Sequence, residues 1–290
     1  MYGKLKKIAT YTFLLILIIF SFFYTEKTMT IVKNTDPIMI DLLENKDKYL
    51  KLNIEGEIVD NTIIPGKNGC EVDIDKSYIK LKKLGTFNSN LLVYKNIINN
   101  NLISNNYDKY IISGNKKDSY VSVIFKVKSN DKIEGLLEYI NNKNINATFF
   151  IDGKFIEDNI ELIASIVNKY EIYAYGYNNS FLDKDNLYAQ SLLFKIKYDI
   201  KKLCLNETMN NDYLNYCSNN KISSIKPSIS TNINLFKEVK NNVENGSIIS
   251  IEINENSMNE LNTTINYLYQ KGFNIKTISE LISENIKCTK

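Results

Sequence analysis

The 290-residue sequence predicts an α/β fold, preceded by an apolar N-terminal segment and a small β-rich region. Three observations lead there. From residue 120 onward, short apolar runs alternate with stretches of helical periodicity, the pattern of parallel β/α units closed into a barrel or laid in an open sheet. Residues 8–24, IATYTFLLILIIFSFFY, carry no charge and follow Lys4, Lys6 and Lys7. Residues 26–118 hold short strand patterns and turn residues, with no catalytic motif. The expected divisions are therefore 1–25, 26–118 and 119–290.

The apolar run of about 17 residues is at the short end for crossing a bilayer. A basic flank before such a run marks a signal peptide or signal anchor. No small-x-small cleavage site follows in SFFYTEKTMT, so the reading is an uncleaved single-pass anchor, lysines in the cytoplasm and the C-terminal bulk outside. The alternative is a secreted chain after signal cleavage. In the middle region, YLKLNIEGEIVD and NLLVYKNI read as strands and NTIIPGKNGC as a turn.

In the alternating part, YVSVIFKV (120–127) is a strand and DKIEGLLEYINNK (131–143) an amphipathic helix. NATFFI (146–151) is a strand. EDNIELIASIVNKY (157–170) places Ile160, Leu162, Ile163, Ile166 and Val167 on one helical face. EIYAYGY (171–177) is a strand and DNLYAQSLLFKIKYDIKKL (185–203) a long helix. A break at NNKISSIKPSIS leads to a weak helix, NINLFKEVKNNV. The strand GSIISIEI (246–253), the helix 258–272, the strand FNIKTI and a final helix complete the chain.

Composition narrows the function. Hydrophobic residues make up 44% and charged residues 24%, a globular balance. A formal charge of +3 gives no strong attraction to nucleic acid. All 36 basic residues are lysine, and histidine and tryptophan are absent. That skew toward Lys, Asn, Ile and Tyr is what an AT-rich bacterial genome produces. Of the four cysteines, Cys204 and Cys217 are close enough in sequence to close a short loop or to stand as two thiols. Cys70 and Cys288 are isolated. Zinc is disfavoured, because there is no C-x-x-C pair and no histidine to complete a site.

Residues 120–285 resemble the polysaccharide deacetylase (NodB-homology) family of carbohydrate esterases. The likeness is carried by GLLEYINNKNINATFFIDGKFIEDNIELIASIVNKYEIYAYGY and by the closing NGSIISIEI…TINYLYQKGFNIKTISELI. The resemblance implies a distorted β/α barrel and removal of acetyl groups from N-acetylglucosamine polymers with a divalent metal such as zinc. It also implies an Asp pair after the first strand, two histidines after the third, an Arg-Pro segment and a late histidine. Here those positions hold Lys126 and Val127, then Tyr175 and Asn179, then Lys226 before Pro227, then Glu252. The stretch between Pro227 and Gly246 is short for a strand–helix unit, so the barrel is expected to be distorted or incomplete.

Such a site lacks the imidazole that supplies most transition-metal affinity, and a lysine at the base position opposes a cation. Glu252 with Asp152 or Asp183 could take a hard cation, though their spacing does not require it. The expectation is a membrane-anchored, catalytically inactive relative without a cofactor, retaining a groove for cell-wall or exopolysaccharide glycan. Tyr173, Tyr175 and Tyr177 would line that groove or else pack in the core. An envelope scaffold using the fold structurally is the alternative reading, and an active hydrolase of carbon–nitrogen bonds a third.

Overall fold

A computed structural model describes residues 2–231 and 233–288. In chain order its elements begin with α1 (Tyr2–Asn34), α2 (Pro37–Asn45), β1 (Glu57–Val59), β2 (Thr62–Ile64), β3 (Gly69–Val72), α3 (Ile74–Leu84), β4 (Tyr94–Ile97) and β5 (Tyr110–Ile111). The alternating part follows with β6 (Tyr120–Val127), α4 (Glu134–Lys143), β7 (Thr148–Ile151), α5 (Gly153–Asp158), α6 (Ile160–Ile166), β8 (Glu171–Ala174) and α7 (Asp183–Ile196). It ends with β9 (Cys204–Leu205), α8 (Asn211–Asn219), β10 (Ser224–Ile225), β11 (Ile229–Thr231), α9 (Leu235–Asn242), β12 (Ile248–Glu252), α10 (Glu255–Gln270), β13 (Asn274–Lys276) and α11 (Ile278–Leu281).

The chain divides into two compact units, one of Met1–Leu52, Gly69–Ile97 and Lys287–Lys290, the other of Asn53–Asn68 and Ile98–Ile286. The smaller holds α1, α2, α3 and the antiparallel pair β3–β4. Pro37 opens α2 where its missing N–H costs nothing, and Asp36 caps it by accepting from the Ile38 N–H. Asp36 also accepts from the Tyr78 hydroxyl at 2.8 Å and pairs with Lys82. Those two hydrogen bonds, Lys82 first, hold its carboxyl below the usual range. Ile38, Met39 and Leu42 of α2 pack on Val72, Leu81 and Leu92. Cys70 is bonded to Cys288, so neither is isolated in the fold. The structure divides the chain elsewhere than at residue 118, and the region read as β-rich also contributes the helices α2 and α3.

The larger unit carries two sheets. One has the order β11-β12-β6-β7-β8, all neighbours parallel, with β13 also on β6. β12 and β13 both meet Ser122, so β13 must lie on the edge of β6 that β7 takes up further along. The other sheet runs β1-β2-β5-β10-β9. Among the described residues the hydrogen-bonded path does not close, so this is a distorted barrel in two pieces. β11 and α9 do fit between Pro227 and Gly246.

Alternation on β6 sets the layers. Val121, Val123, Phe125 and Val127 face the helices, in the core with Ile140, Ile163, Ile265 and Leu268. Ile124 faces the other way, with Phe150, Tyr173 and Ile248 against Ile63, Ile111, Leu205 and Ile225 of the second sheet. Period-2 alternation with both faces buried is what a central parallel strand requires.

Several sequence-based boundaries shift for local reasons. The helix expected over 157–170 is two, α5 and α6, broken at Asn159. β8 ends at Ala174 because Gly176 adopts a φ of +63°, where a Cβ would lie 2.4 Å from the Ser180 carbonyl oxygen. The helix expected to reach residue 203 stops at Ile196.

The unanticipated α8 carries Cys217, and Cys204 and Cys217 form a disulfide, Cα atoms 6.5 Å apart, that ties β9 to it. Closing this short loop contributes on the order of 3 kcal/mol by restricting the unfolded chain. Replacing both cysteines by serine is expected to lower stability by about that amount, measured as a denaturation midpoint; an unchanged midpoint would show that the staple is dispensable.

Candidate functional site

The carboxyl ends of parallel strands are where α/β folds place their ligands, and here those ends hold an ion cluster. Lys126 is on the inward face of β6, directly opposite Glu252 of β12 in register. Its side chain is only 6% exposed, and its Nζ lies 2.6 Å from Glu207 and 3.3 Å from Glu252. Lys128 reaches the same Glu252 oxygen at 3.3 Å. The second Glu207 oxygen accepts from the Ser230 hydroxyl at 2.6 Å. Burial alone would push the Glu207 carboxyl up; the hydrogen bonds from Lys126 and Ser230 outweigh it and hold the group below its ordinary range.

Glu207 was not a candidate from the sequence. It follows β9 in CLNE, and its partner is 81 positions away, a separation that no local pattern reveals. The one available signal was the cysteine flanking it.

The remaining candidates are dispersed. Val127 is fully buried in the helix-side core and does not face the cluster. Tyr175 is near the cluster, its ring edge-on to Phe181 at 4.8 Å and to Phe150 at 6.4 Å. Burial raises its hydroxyl pKa, and the charges of Glu207 and Glu252 raise it further. Tyr173 is core, stacked on Phe150 at 5.0 Å. Tyr177 has left the strand: its hydroxyl donates to Glu157 at 2.7 Å and its ring packs on Tyr188. With Tyr188 and Lys154 also bonded to it, the Glu157 carboxyl is held down to about 2, Tyr177 contributing most. Lys226 is half-buried, its backbone N–H donating to the Ile111 carbonyl at 2.9 Å.

Asn179, at φ +60°, follows Asn178 at φ +50° in a two-residue turn bridged by Tyr177 and Ser180. Positive φ at both central residues is the signature of a type I′ hairpin turn. Asp152 braces it. One carboxylate oxygen accepts from the N–H groups of Lys154 and Asn178, the other from that of Asn179. Asp152 is therefore committed to backbone, and Asp183 is exposed on α7. The hard-cation set considered from sequence does not assemble. Among the described residues no group of three or more His, Cys, Asp or Glu could hold a metal. The chemistry of the donors agrees: an ammonium lies between the two carboxylates that a metal would need. These residues do not fit the divalent ion of the resembled family.

Beside the cluster a cavity of about 140 Å³ is lined by Tyr175, Phe181, Asn206, Glu207, Asn210 and Tyr213, among others. It joins aromatic faces to amide and carboxylate groups.

Comparisons with known proteins agree with this architecture. No family profile matches the chain. The uncharacterized protein YlxY of Bacillus subtilis (strain 168) is 28% identical over 161 residues, 54% of this chain and 50% of that protein. The chain thus spans about half the length of that curated relative. The wild-type BA3943 protein of Bacillus anthracis, a CE4 family pseudoenzyme, superposes with a TM-score of 0.64 at 18% identity, covering 87% of this chain and 97% of that one. The Bc1960 peptidoglycan N-acetylglucosamine deacetylase gives 0.55 at 17% identity, covering 61% and 95%. PdaA of Bacillus subtilis, a family 4 carbohydrate esterase, gives 0.53 at 17% identity, covering 62% and 87%. The class defined is a distorted β/α barrel of the carbohydrate esterase type. More particularly, this chain has the fold of the CE4 polysaccharide deacetylases, as the ATFF succession indicated.

Removing Lys126 takes the only salt-bridge partner found for Glu207 among the described residues and leaves Glu252 to Lys128. Lys126→Ala is expected to destabilise the chain by about 3–5 kcal/mol, read from denaturant midpoints; a change below about 1 kcal/mol would mean that water already neutralises the carboxylates. The sign of the pH dependence follows from Glu207. Its pKa is depressed in the folded state, so its stabilisation is fully present above the unfolded value near 4.5 and is lost as pH falls through the lowered folded value. Melting temperature should therefore drop below pH 4.5, and the drop should shrink in Glu207→Gln.

Proposed function

We propose that this chain is a catalytically silent member of the polysaccharide deacetylase class, held at the outer face of the cell membrane and binding surface glycan without hydrolysing it. The observation that carries the reading is the Lys126–Glu207–Glu252 cluster. Deacetylation needs a cation to polarise the acetamide and a carboxylate free to take a proton from water. Here the ammonium of Lys126 stands between Glu207 and Glu252, and the hydrogen bonds from Lys126 and Ser230 engage both Glu207 oxygens. Glu252 is shared between Lys126 and Lys128. Both Glu207 oxygens are thus engaged, and one Glu252 oxygen carries both lysines.

Glycan binding rests on different groups. The cavity beside the cluster is below the usual size of an enclosed ligand pocket, roughly 300 Å³ and above, and suits a single ring. Tyr175, Phe181 and Tyr213 offer apolar faces, and Asn206 and Asn210 polar edges. The similar Bc1960 protein is a peptidoglycan N-acetylglucosamine deacetylase, which makes peptidoglycan the first glycan to test. Placement outside the cell is supported by Lys4, Lys6 and Lys7 before the apolar run and by the pairing of Cys70 with Cys288 and Cys204 with Cys217, bonds that persist in oxidising compartments.

The test uses the full chain in detergent, with zinc, cobalt or manganese and acetylated glucosamine oligomers, reading metal content and acetate together. The expected outcome is no stoichiometric metal, no acetate, and sedimentation with insoluble peptidoglycan that weakens about tenfold in Tyr175→Ala. Stoichiometric metal with acetate release abolished by Glu252→Gln would overturn the proposal. Failure to sediment with any surface glycan would leave the fold as a scaffold.

A further inference from the structure

Charge is unevenly divided between the two units. The one containing α1 carries fifteen lysines against eight carboxylates, net +7, while the other carries twenty-one against twenty-five, net −4. Without Lys4, Lys6 and Lys7, which precede the apolar run, the first unit still has an excess of four. A segregation of this kind bears on what each surface attracts.

The excess is concentrated on α3, which is patterned on two faces. Ser77 and Leu81 are buried, with Ile74 and Tyr78 beside them against the core of this unit. Lys76, Ile79, Lys80, Lys83 and Leu84 follow the i, i+3, i+4, i+7, i+8 spacing of a single helical face, and that face is exposed. Ile79 is 56% and Leu84 50% accessible. Exposed aliphatic residues interleaved with lysines are the composition of a helix that lies in a membrane interface. The α3 helix is also fixed to the end of α1. Lys33 pairs with Asp75 and lies 5.5 Å from the Tyr78 ring centre, and Asp36 binds both Tyr78 and Lys82. From Tyr24, the last residue of the uncharged run, to Asn34 the helix rises only about 15 Å. At that height the potential of an anionic bilayer, which decays over a Debye length of about 10 Å, is still felt.

We propose that α3 docks on the anionic headgroups of the membrane in which α1 is anchored, with Lys76, Lys80 and Lys83 against lipid phosphates and Ile79 and Leu84 entering the interface. The inference rests on the reading of α1 as a membrane anchor, and the experiment separates the two. The chain contains no tryptophan, so Ile79→Trp introduces a single reporter. The full-length variant is reconstituted in vesicles of phosphatidylcholine with or without phosphatidylglycerol, with brominated acyl chains as quenchers. Flotation with the vesicles reports the anchor; quenching of the indole reports α3.

Expected is quenching at least about twofold greater with phosphatidylglycerol than without, lost at high salt and in a Lys76→Gln/Lys80→Gln/Lys83→Gln background. Leu84→Trp should behave alike, and Ile160→Trp, an exposed position on α6 of the other unit, serves as the comparison position. A chain that floats while Ile79→Trp and Leu84→Trp are quenched no more than Ile160→Trp would sink the docking and leave the anchor intact. Equal quenching in both vesicles, insensitive to salt, would sink the role of lipid charge. A chain that does not float would remove the anchor and the docking together.

Discussion

An ammonium group buried at the end of a central strand has to be neutralised locally, and much of the larger unit is arranged around that requirement. Lys126 sits on β6, the strand that touches β12, β7 and β13. Its carboxylates arrive from separate elements: Glu252 from the neighbouring strand of the same sheet, Glu207 from the end of β9 in the other. The cluster therefore links two sheets that no strand ladder joins among the described residues. A salt bridge of this kind is weak evidence for stability, because desolvation offsets much of the Coulombic gain. What it fixes is position: the buried Lys126 is compensated only where the part-exposed Glu207 and Glu252 meet it.

The same strand ends set an aspartate-braced turn and an aromatic wall around a centre in which an ammonium stands between two carboxylates. Asp152 illustrates the difference between a conspicuous acid and a functional one. Its position after the ATFF strand made it a candidate ligand, yet three backbone N–H groups already saturate it. Acids that cap turns and acids that handle protons look alike in sequence and differ in what donates to them.

The fold class was legible because it depends on period. The 120–127 strand was bounded to the residue, since β6 has apolar side chains on both faces and turn signals at its end. The ATFF strand and the closing helix–strand–helix were recognisable on the same grounds. The ion cluster was half legible: Lys126 and Glu252 were marked as substituted positions, but their partnership with Glu207 depends on long-range register. The tyrosine series 173, 175, 177 looked like one face and is not one, because Gly176 turns the chain between the second and third. The helix α3 was hidden in a lysine-rich stretch whose buried side presents little more than Ser77 and Leu81 to a hydrophobicity pattern.

The Cys70–Cys288 bond has a mechanical consequence. A load applied between α1 and the residues after Cys288 travels along the chain to Cys70 and crosses a single covalent bond to Cys288. Everything between them, including the strands that hold Lys126, Glu207 and Glu252, lies on a slack loop outside the load path. Such tension would reach β1 and β2, which precede Cys70, and bypass every later strand of the two sheets until a reductant opened the shunt.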